Sequence, residues 1–340
     1  MYKNNKSNRD WNSALSNHQK PHAGRASWQL INSVGFYFII LFLAYQSISV
    51  SLWLTVMLCI LGGGILTRIF IIFHDCTHGS FYKSPLANRL WGRITGFITF
   101  TPFIHWQRRH MQHHAYSGNL DKRGIGDIHT MTVSEYLSAP IQKKLTYRLF
   151  RHPLILFFVV PIFLFLILQR FPISGASTTE KRSVWLTNIA IISSSIFLIY
   201  IADGLSLITI QLGTLFVGSS IGMWLFYVQH QFEDTYWENK EKWNYIEAAL
   251  TGSSYYELPQ LLRWFSGNIG FHHIHHLNPS IPNYNLEKCH NSNQHILNIA
   301  PMTLMKSLKS INLRLWDESS KRLISFGELN ILTENLNRKQ

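Results

Sequence analysis

Long apolar runs constrain this chain more than any other feature. Residues 30–46 and 51–73 form two of them, each near the ~20 residues that carry a helix across a bilayer. Two more, 184–202 and 205–228, flank Asp203-Gly204. Neither connector, Gln46-Ser47-Ile48-Ser49 or Asp203-Gly204, holds Lys or Arg, as befits a turn carried to the outer side. Only 14% of residues are charged, against about 25% in soluble domains. Segments 90–104 and 153–169 are apolar too, but short and broken by Gly92, Gly96 and Pro102 or by Pro153 and Pro161. The second has positive residues at both ends (Arg148 and Arg151; Arg170, Lys181 and Arg182), so it is expected to enter and leave on one side. The pattern predicts an all-α integral membrane protein with four transmembrane helices in two hairpins, plus interfacial or re-entrant helices and a cytoplasmic helical cap. Residues 1–28 read as a polar basic leader without a cleaved signal, 29–290 as the membrane domain and 291–340 as a cytoplasmic tail.

Three histidine clusters lie beside these runs: His74-Asp75-Cys76-Thr77-His78, His110-Met111-Gln112-His113-His114 and His272-His273-Ile274-His275-His276. On a helix, positions i, i+3 and i+4 share a face, which sets His74 with His78, His110 with His113 and His114, and His272 with His275 and His276. His273 falls off its cluster's face. Imidazoles suit iron, copper, nickel or zinc, and eight are too many for one ion, so two metals are expected. All three clusters must then reach the same membrane side, which lets only two of the three later apolar segments cross. The three cysteines (Cys59, Cys76, Cys289) are far apart, without the spacing of a zinc ribbon or disulfide framework, and Cys76 reads as packing.

The boxes HxxxH, HxxHH and HxxHH, with HDCTHGSF, HHAYSGNLDKRGIGD, FYVQH and HHIHHLNPSIPNY around them, resemble the membrane fatty acid desaturase family over about residues 30–290, and within it the omega-6 (Δ12-type) acyl-lipid branch. The resemblance implies a cis double bond introduced into a lipid acyl chain with O2 at a centre of two iron ions. It also implies an all-histidine ligand set: His74, His78, His110, His113, His114, His272, His275, His276 and, before the third box, His230. His105, one turn before the second box, departs from the family pattern and is not taken as a ligand. Ligating imidazoles usually donate their second N–H to a carboxylate or carbonyl. Among the nearby acids (Asp75, Asp121, Asp127, Glu233, Asp234, Glu257), Asp127 and Glu257 are the favoured buttresses. Asn268 is placed one helical turn before His272, and Glu287–His290 reads as a chance Glu-x-x-His. Walls for the acyl chain are sought in 91–104 and 255–271.

Abstracting hydrogens from an unactivated alkyl chain lies beyond protein side chains and calls for a metal oxidant made from O2. A di-iron lipid hydroxylase or ketolase (carotenoid, sphingolipid or alkane) has similar spacing, but the flanking motifs favour the desaturase. A non-enzymatic haem or metal-binding membrane protein fits clusters at span ends poorly. Two electrons must come from outside, because no flavin, haem or iron–sulfur motif is present. The net charge of +13, with Arg108 and Arg109 leading into the second box and Lys122, Arg123, Lys143, Lys144, Arg148 and Arg151 after it, points to an acidic ferredoxin or cytochrome b5-like donor. No nucleic-acid motif accompanies that charge. The expected location is the inner membrane of a bacterium or an ER-type membrane, with N-terminus, boxes and C-terminus cytoplasmic.

Overall fold

The computed structural model describes residues 14–124, 126–201, 203–297 and 299–337. The first half of the leader, residues 1–13, lies outside them. Helix α1 (Ala23–Ser47) begins where the His22 side chain accepts from the Arg25 N–H, and α2 (Leu52–His78) where Ser51 caps the Leu54 N–H. Gly79, at φ 71°, ends α2 directly after the first histidine box: only a residue without Cβ takes that left-handed turn cheaply.

The apolar run 90–104 does not form one helix. It divides into α3 (Pro85–Ile98) and α4 (Phe103–Tyr116), and α4 carries the second box. Pro102 has no N–H to continue a helix, and Thr101 donates back to the Gly96 carbonyl, where any Cβ would come within 2.5 Å of the Thr101 oxygen. Helix α3 leaves Leu86, Leu90 and Ile94 exposed one turn apart while burying Asn88, Gly92 and Thr95, and it runs back along α2: Asn88 donates to the Gly79 carbonyl, and Ile98 clusters with Ile65, Leu66 and Ile69.

Short helices α5 (Val133–Ser138) and α6 (Ile141–Phe150) follow, and then a broken helical segment, Ile155–Arg170, turned 62° from α6. Both its ends lie on the histidine side. Before it, the Arg151 guanidinium donates to the His129 carbonyl (3.2 Å) and to Gln231 (2.9 Å), which is adjacent to His230. After it, Arg170 donates to the Phe100 carbonyl and to Asn188, and the Ile173 N–H reaches His105. Its bend and its flanking contacts make it the candidate re-entrant segment.

Helices α7 (Thr178–Ile201) and α8 (Gly204–His230) form the second hairpin; with α1 and α2 they are, among the described residues, the four single helices long and apolar enough to span a bilayer. Ile189, Ile192 and Ile196 of α7 are exposed, which suits lipid. The hairpins meet at Gly62-Gly63-Gly64 of α2, where a Cβ on Gly63 would come within 2.5 Å of Val217. Small residues substitute for the missing hydrophobic drive between helices in lipid by letting backbones touch. Arg68, buried within α2, donates to Ser33 of α1 (3.0 Å) and to the Trp264 carbonyl of α9 (Gln260–Phe265), tying the cap to the first hairpin.

The cap carries α10 (His272–Leu277) and α11 (Asn283–Leu297). One feature departs from the all-α expectation: β1 (Met131–Thr132) pairs in parallel with β2 (Leu315–Asp317), which pairs antiparallel with β3 (Arg322–Ile324). Part of the stretch read as a cytoplasmic tail is thereby paired with β1, and α12 (Phe326–Asn337) packs its Phe326 ring beside Tyr136 and Tyr147.

Candidate metal centre

Helix ends deliver the imidazoles. His74 and His78 sit in the last turns of α2, His230 is the last residue of α8, and α4 and α10 carry the other boxes. The nine histidines fall into two groups able to hold a metal ion: His74, His78, His110, His114 and His275 in one, and His113, His230, His272 and His276 in the other, with candidate ligand atoms within 4.8 Å of one another in each. The boxes on α4 and α10 are therefore each divided between the groups. Adjacent helical residues diverge by 100°, so His113 and His114 part, as do His275 and His276; positions four apart, His110 with His114 and His272 with His276, stay together. The groups adjoin, with the His114 and His276 rings stacked at 4.2 Å.

Ring nitrogens test whether a metal fits. His230 Nδ1 faces the Gly252 carbonyl at 3.1 Å and must carry the proton, leaving an Nε2 lone pair. That Nε2 lies 3.1 Å from His113 Nε2 and 3.0 Å from His272 Nε2. In the other group His114 Nε2 lies 3.1 Å from His110 Nε2 and 3.0 Å from His275 Nε2. The Nε2 atoms of His78 and His276 are buried without a hydrogen-bond partner. Nitrogens roughly 3 Å apart are spaced as metal–nitrogen bonds of about 2.0–2.1 Å require, so the histidines fit metal ions. Burial holds His110, His113, His114, His272, His275 and His276 well below the ordinary imidazole pKa, and neighbouring imidazoles push the same way. They are neutral at pH 7, the form that ligates.

Among the described residues, the carboxylate bonded to a box histidine is Asp75, 1% exposed, whose Oδ1 meets His74 Nδ1 at 3.1 Å. Its Oδ2 accepts from the Asn283 N–H (2.6 Å) and side-chain amide (2.8 Å), joining the first box to α11. Asp127 instead accepts from the Gly124 N–H (2.6 Å), and Glu257 is exposed; among the described residues neither bonds to a box histidine. Asn268 does not extend α10: its φ is 59°, and its amide donates to the Asn283 carbonyl. His273 turns away to His290 (3.3 Å), Glu287 pairs with Arg263, and Cys76 packs among Ala26, Ile72 and Phe81. Much of the expected basic docking face is already engaged: Arg151 is fully buried, Arg108 pairs with Glu180 (2.6 Å) and Arg123 with Glu135 (2.5 Å).

An apolar cavity of about 330 Å³ reaches both groups, touching His74, His110 and His272. Its walls are α2 (Leu66, Phe70), α8 (Leu215, Phe226) and the re-entrant segment (Leu156, Phe165), with Arg109, Asp127 and Gln169 as polar edges. Of the stretches expected to wall it, 91–104 supplies Thr99 and 255–271 supplies Ile269.

Four apolar helices, two adjoining all-histidine groups and a lipid-like cavity define a membrane oxidoreductase with a di-metal site. The family model for fatty acid desaturases matches residues 51–303, and the chain is 47% identical over 307 residues to a fatty acid desaturase of Bacillus subtilis, covering 90% of this chain and 87% of that one. It belongs to the fatty acid desaturase family. More distant relatives are an sn-1 oleoyl-lipid 12-desaturase of Synechocystis (27% over 240 residues; 68% of this chain, 65% of that one) and a chloroplastic omega-6 fatty acid desaturase of Arabidopsis thaliana (27% over 244 residues; 68% and 51%). The protein is thus an integral membrane, O2-dependent oxidoreductase acting on acyl-lipid chains.

Proposed function

We propose that this chain desaturates bilayer lipids at two iron ions held by His74, His78, His110, His114 and His275 on one side and His113, His230, His272 and His276 on the other. The observation that carries this reading is the convergence of the nine imidazoles at the head of an acyl-sized apolar cavity. When bound, the irons supply the O2 activation that removes hydrogens from an unactivated chain. The protein orients and encloses. Leu66, Phe70, Leu215 and Phe226 hold the chain extended and exclude water, while His74 and His110 present the head of the cavity to it. Asp75 and the Gly252 carbonyl fix the His74 and His230 tautomers so that Nε2 faces the metal. In the balance, two hydrogens leave adjacent carbons, a C=C bond forms, and O2 with two external electrons and two protons becomes two waters.

The electrons come from an acidic ferredoxin or cytochrome b5-like carrier. Its docking place is the outer face of α4, where Met111 (48%) and Tyr116 (40%) are exposed behind His110 and His114, with Lys122 against the Tyr116 ring. The N-terminus, boxes and C-terminus face the cytoplasm, in keeping with the positive residues on the box side and the charge-free turns opposite. The omega-6 position rests on the relatives at 27% identity; the name of the relative at 47% carries no bond position. The test is expression in a host without polyunsaturated lipids, with the new double bond located by mass spectrometry and metals counted in purified protein. About two irons per chain are expected, and His113→Ala or His275→Ala should abolish both product and metal without loss of membrane insertion. Zinc alone in active enzyme, or an inserted oxygen in place of a double bond, sinks the reading.

A further inference from the structure

Helix α6 is held to the protein by one side. Tyr147, 4% exposed, accepts from the Met131 N–H (3.1 Å) and donates to the Arg314 carbonyl, while Ile141, Leu145 and Leu149 are 63, 59 and 62% exposed. At 100° per residue those three form one stripe opposite Tyr147, and Lys144 and Arg148 run along its edge. Five residues after Leu149, Leu154 is also largely exposed and the re-entrant segment begins, so the stripe lies within about 18 Å of lipid-embedded chain. Beside it, α5, α6 and α12 enclose a groove of about 420 Å³ with an apolar floor of Leu137, Ile141 and Leu145. Two cations stand over it. The Arg148 Nε donates to the Tyr136 hydroxyl (2.6 Å) and the Lys144 ammonium to the Leu137 carbonyl (2.8 Å). Among the described residues neither has a carboxylate partner.

We propose that α6 is an in-plane membrane helix whose groove binds the phosphate headgroup of an anionic bilayer phospholipid. Ile141, Leu145 and Leu149 enter the headgroup–acyl boundary, typically to a depth of roughly 5–10 Å. Arg148, already aimed by Tyr136, and Lys144 take the phosphate, and the lipid's chains lie along the apolar floor. A soluble protein partner is the weaker occupant, because it would have to cover an apolar stripe that the neighbouring bilayer covers without a partner. The assignment is independent of the metal reading, and it directs Lys144 and Arg148 to lipid instead of to the electron carrier.

Two measurements on the full-length protein test it. In vesicles of phosphatidylcholine with a minority of phosphatidylglycerol and a nitroxide lipid, an environment-sensitive dye on Leu145→Cys should be quenched, whereas the same dye on Thr146→Cys should stay in water; dye taken up by unsubstituted protein gives the background. In native mass spectrometry from mild detergent, phosphatidylglycerol should be retained over phosphatidylcholine. A basic side chain at an anionic surface is worth about fivefold, so Lys144→Gln with Arg148→Gln should lower that preference ~25-fold with metal content unchanged. Glycerol phosphate alone should not compete. Equal quenching at 145 and 146, an unchanged lipid preference, or displacement by glycerol phosphate overturns the proposal. So does slowed reduction by an acidic carrier in the double variant with lipid preference intact, which would mark a protein-docking face.

Discussion

Asp75→Asn separates the role of one carboxylate from the fold around it. The aspartate accepts three hydrogen bonds: from His74 Nδ1 (3.1 Å) and from the Asn283 N–H and amide (2.6 and 2.8 Å). An asparagine of the same shape has one acceptor oxygen and one donor nitrogen, and either orientation fails. With its oxygen toward His74, its NH2 meets two Asn283 donors, leaving buried polar groups unsatisfied at about 1–3 kcal/mol each. With its oxygen toward Asn283, its NH2 donates to His74 Nδ1 and forces the proton onto Nε2, removing the lone pair a metal needs. Losing such a buttress typically lowers metal affinity ~10–100-fold. Chelator titration of purified protein, with retained metal measured by mass spectrometry, reads the affinity; thermal unfolding of metal-depleted protein reads the stability. Asp127→Asn and Glu257→Gln should change neither. If Asp75→Asn keeps its metal at the wild-type chelator concentration and unfolds at the same temperature, the tautomer argument is wrong.

The cavity can be filled without touching a histidine: a Cβ on Gly222 meets nothing within 4 Å, so Gly222→Leu should enter open space, keep the metal and cut desaturation of long chains more than about tenfold, as turnover in membranes will show. Topology is readable by single cysteines at exposed positions. Ser49 and Asp203 should label only from outside, and Thr179 and Ser292 only from the cytoplasm; outside labelling at Thr179 would turn the re-entrant segment into a span. Acid should destabilise the metal-free protein. Burial depresses the box imidazoles in the folded state, so their stabilisation is complete above about pH 6.5 and falls as pH drops below it, where only the unfolded chain takes up protons. Thermal unfolding from pH 7.5 to 5.5 checks the sign, and greater stability at pH 5.5 would contradict it.

Run length and the charge-free turns Gln46–Ser49 and Asp203-Gly204 were enough to read the four long helices, because lipid leaves a backbone few alternatives. The identity of the clustering histidines was legible for a similar reason: helical spacing survives whatever the helices do next. Their division into five and four was only half legible. The 100° between His113 and His114 foretells that they part, but which imidazole joins which group depends on how α4 and α10 lie against α2. The buttress was harder. Asp75, Asp127 and Glu257 look alike as letters near a box, and only the crossing of α11 beside α2, which brings Asn283 to Asp75, makes one of them structural. The break at Pro102 was read as a weakness in one helix instead of a boundary between two, which hid the start of α4.

The re-entrant segment joins the topology to the chemistry. Parity requires that it not cross, since His78 and His230 end parallel helices on the same side and only the α7–α8 hairpin can separate them. The cavity requires that it enter, since Leu156 and Phe165 complete a wall that α2 and α8 leave open. Arg151 and Arg170 reconcile the two demands. Arg151 is anchored beside His230, against Gln231 and the Leu313 carbonyl, and Arg170 against the Phe100 carbonyl and Asn188 of α7, so the apolar stretch between them is tethered at both ends. A segment tethered at both ends can also shift its middle without losing its place, which makes it the element of the wall best suited to admit an acyl chain from the side. Arg170→Gln, which loosens one tether, should therefore raise desaturation of poorly accepted, bulkier chains relative to ordinary ones while leaving metal content unchanged. Equal effects on both substrates would show that the chain enters elsewhere.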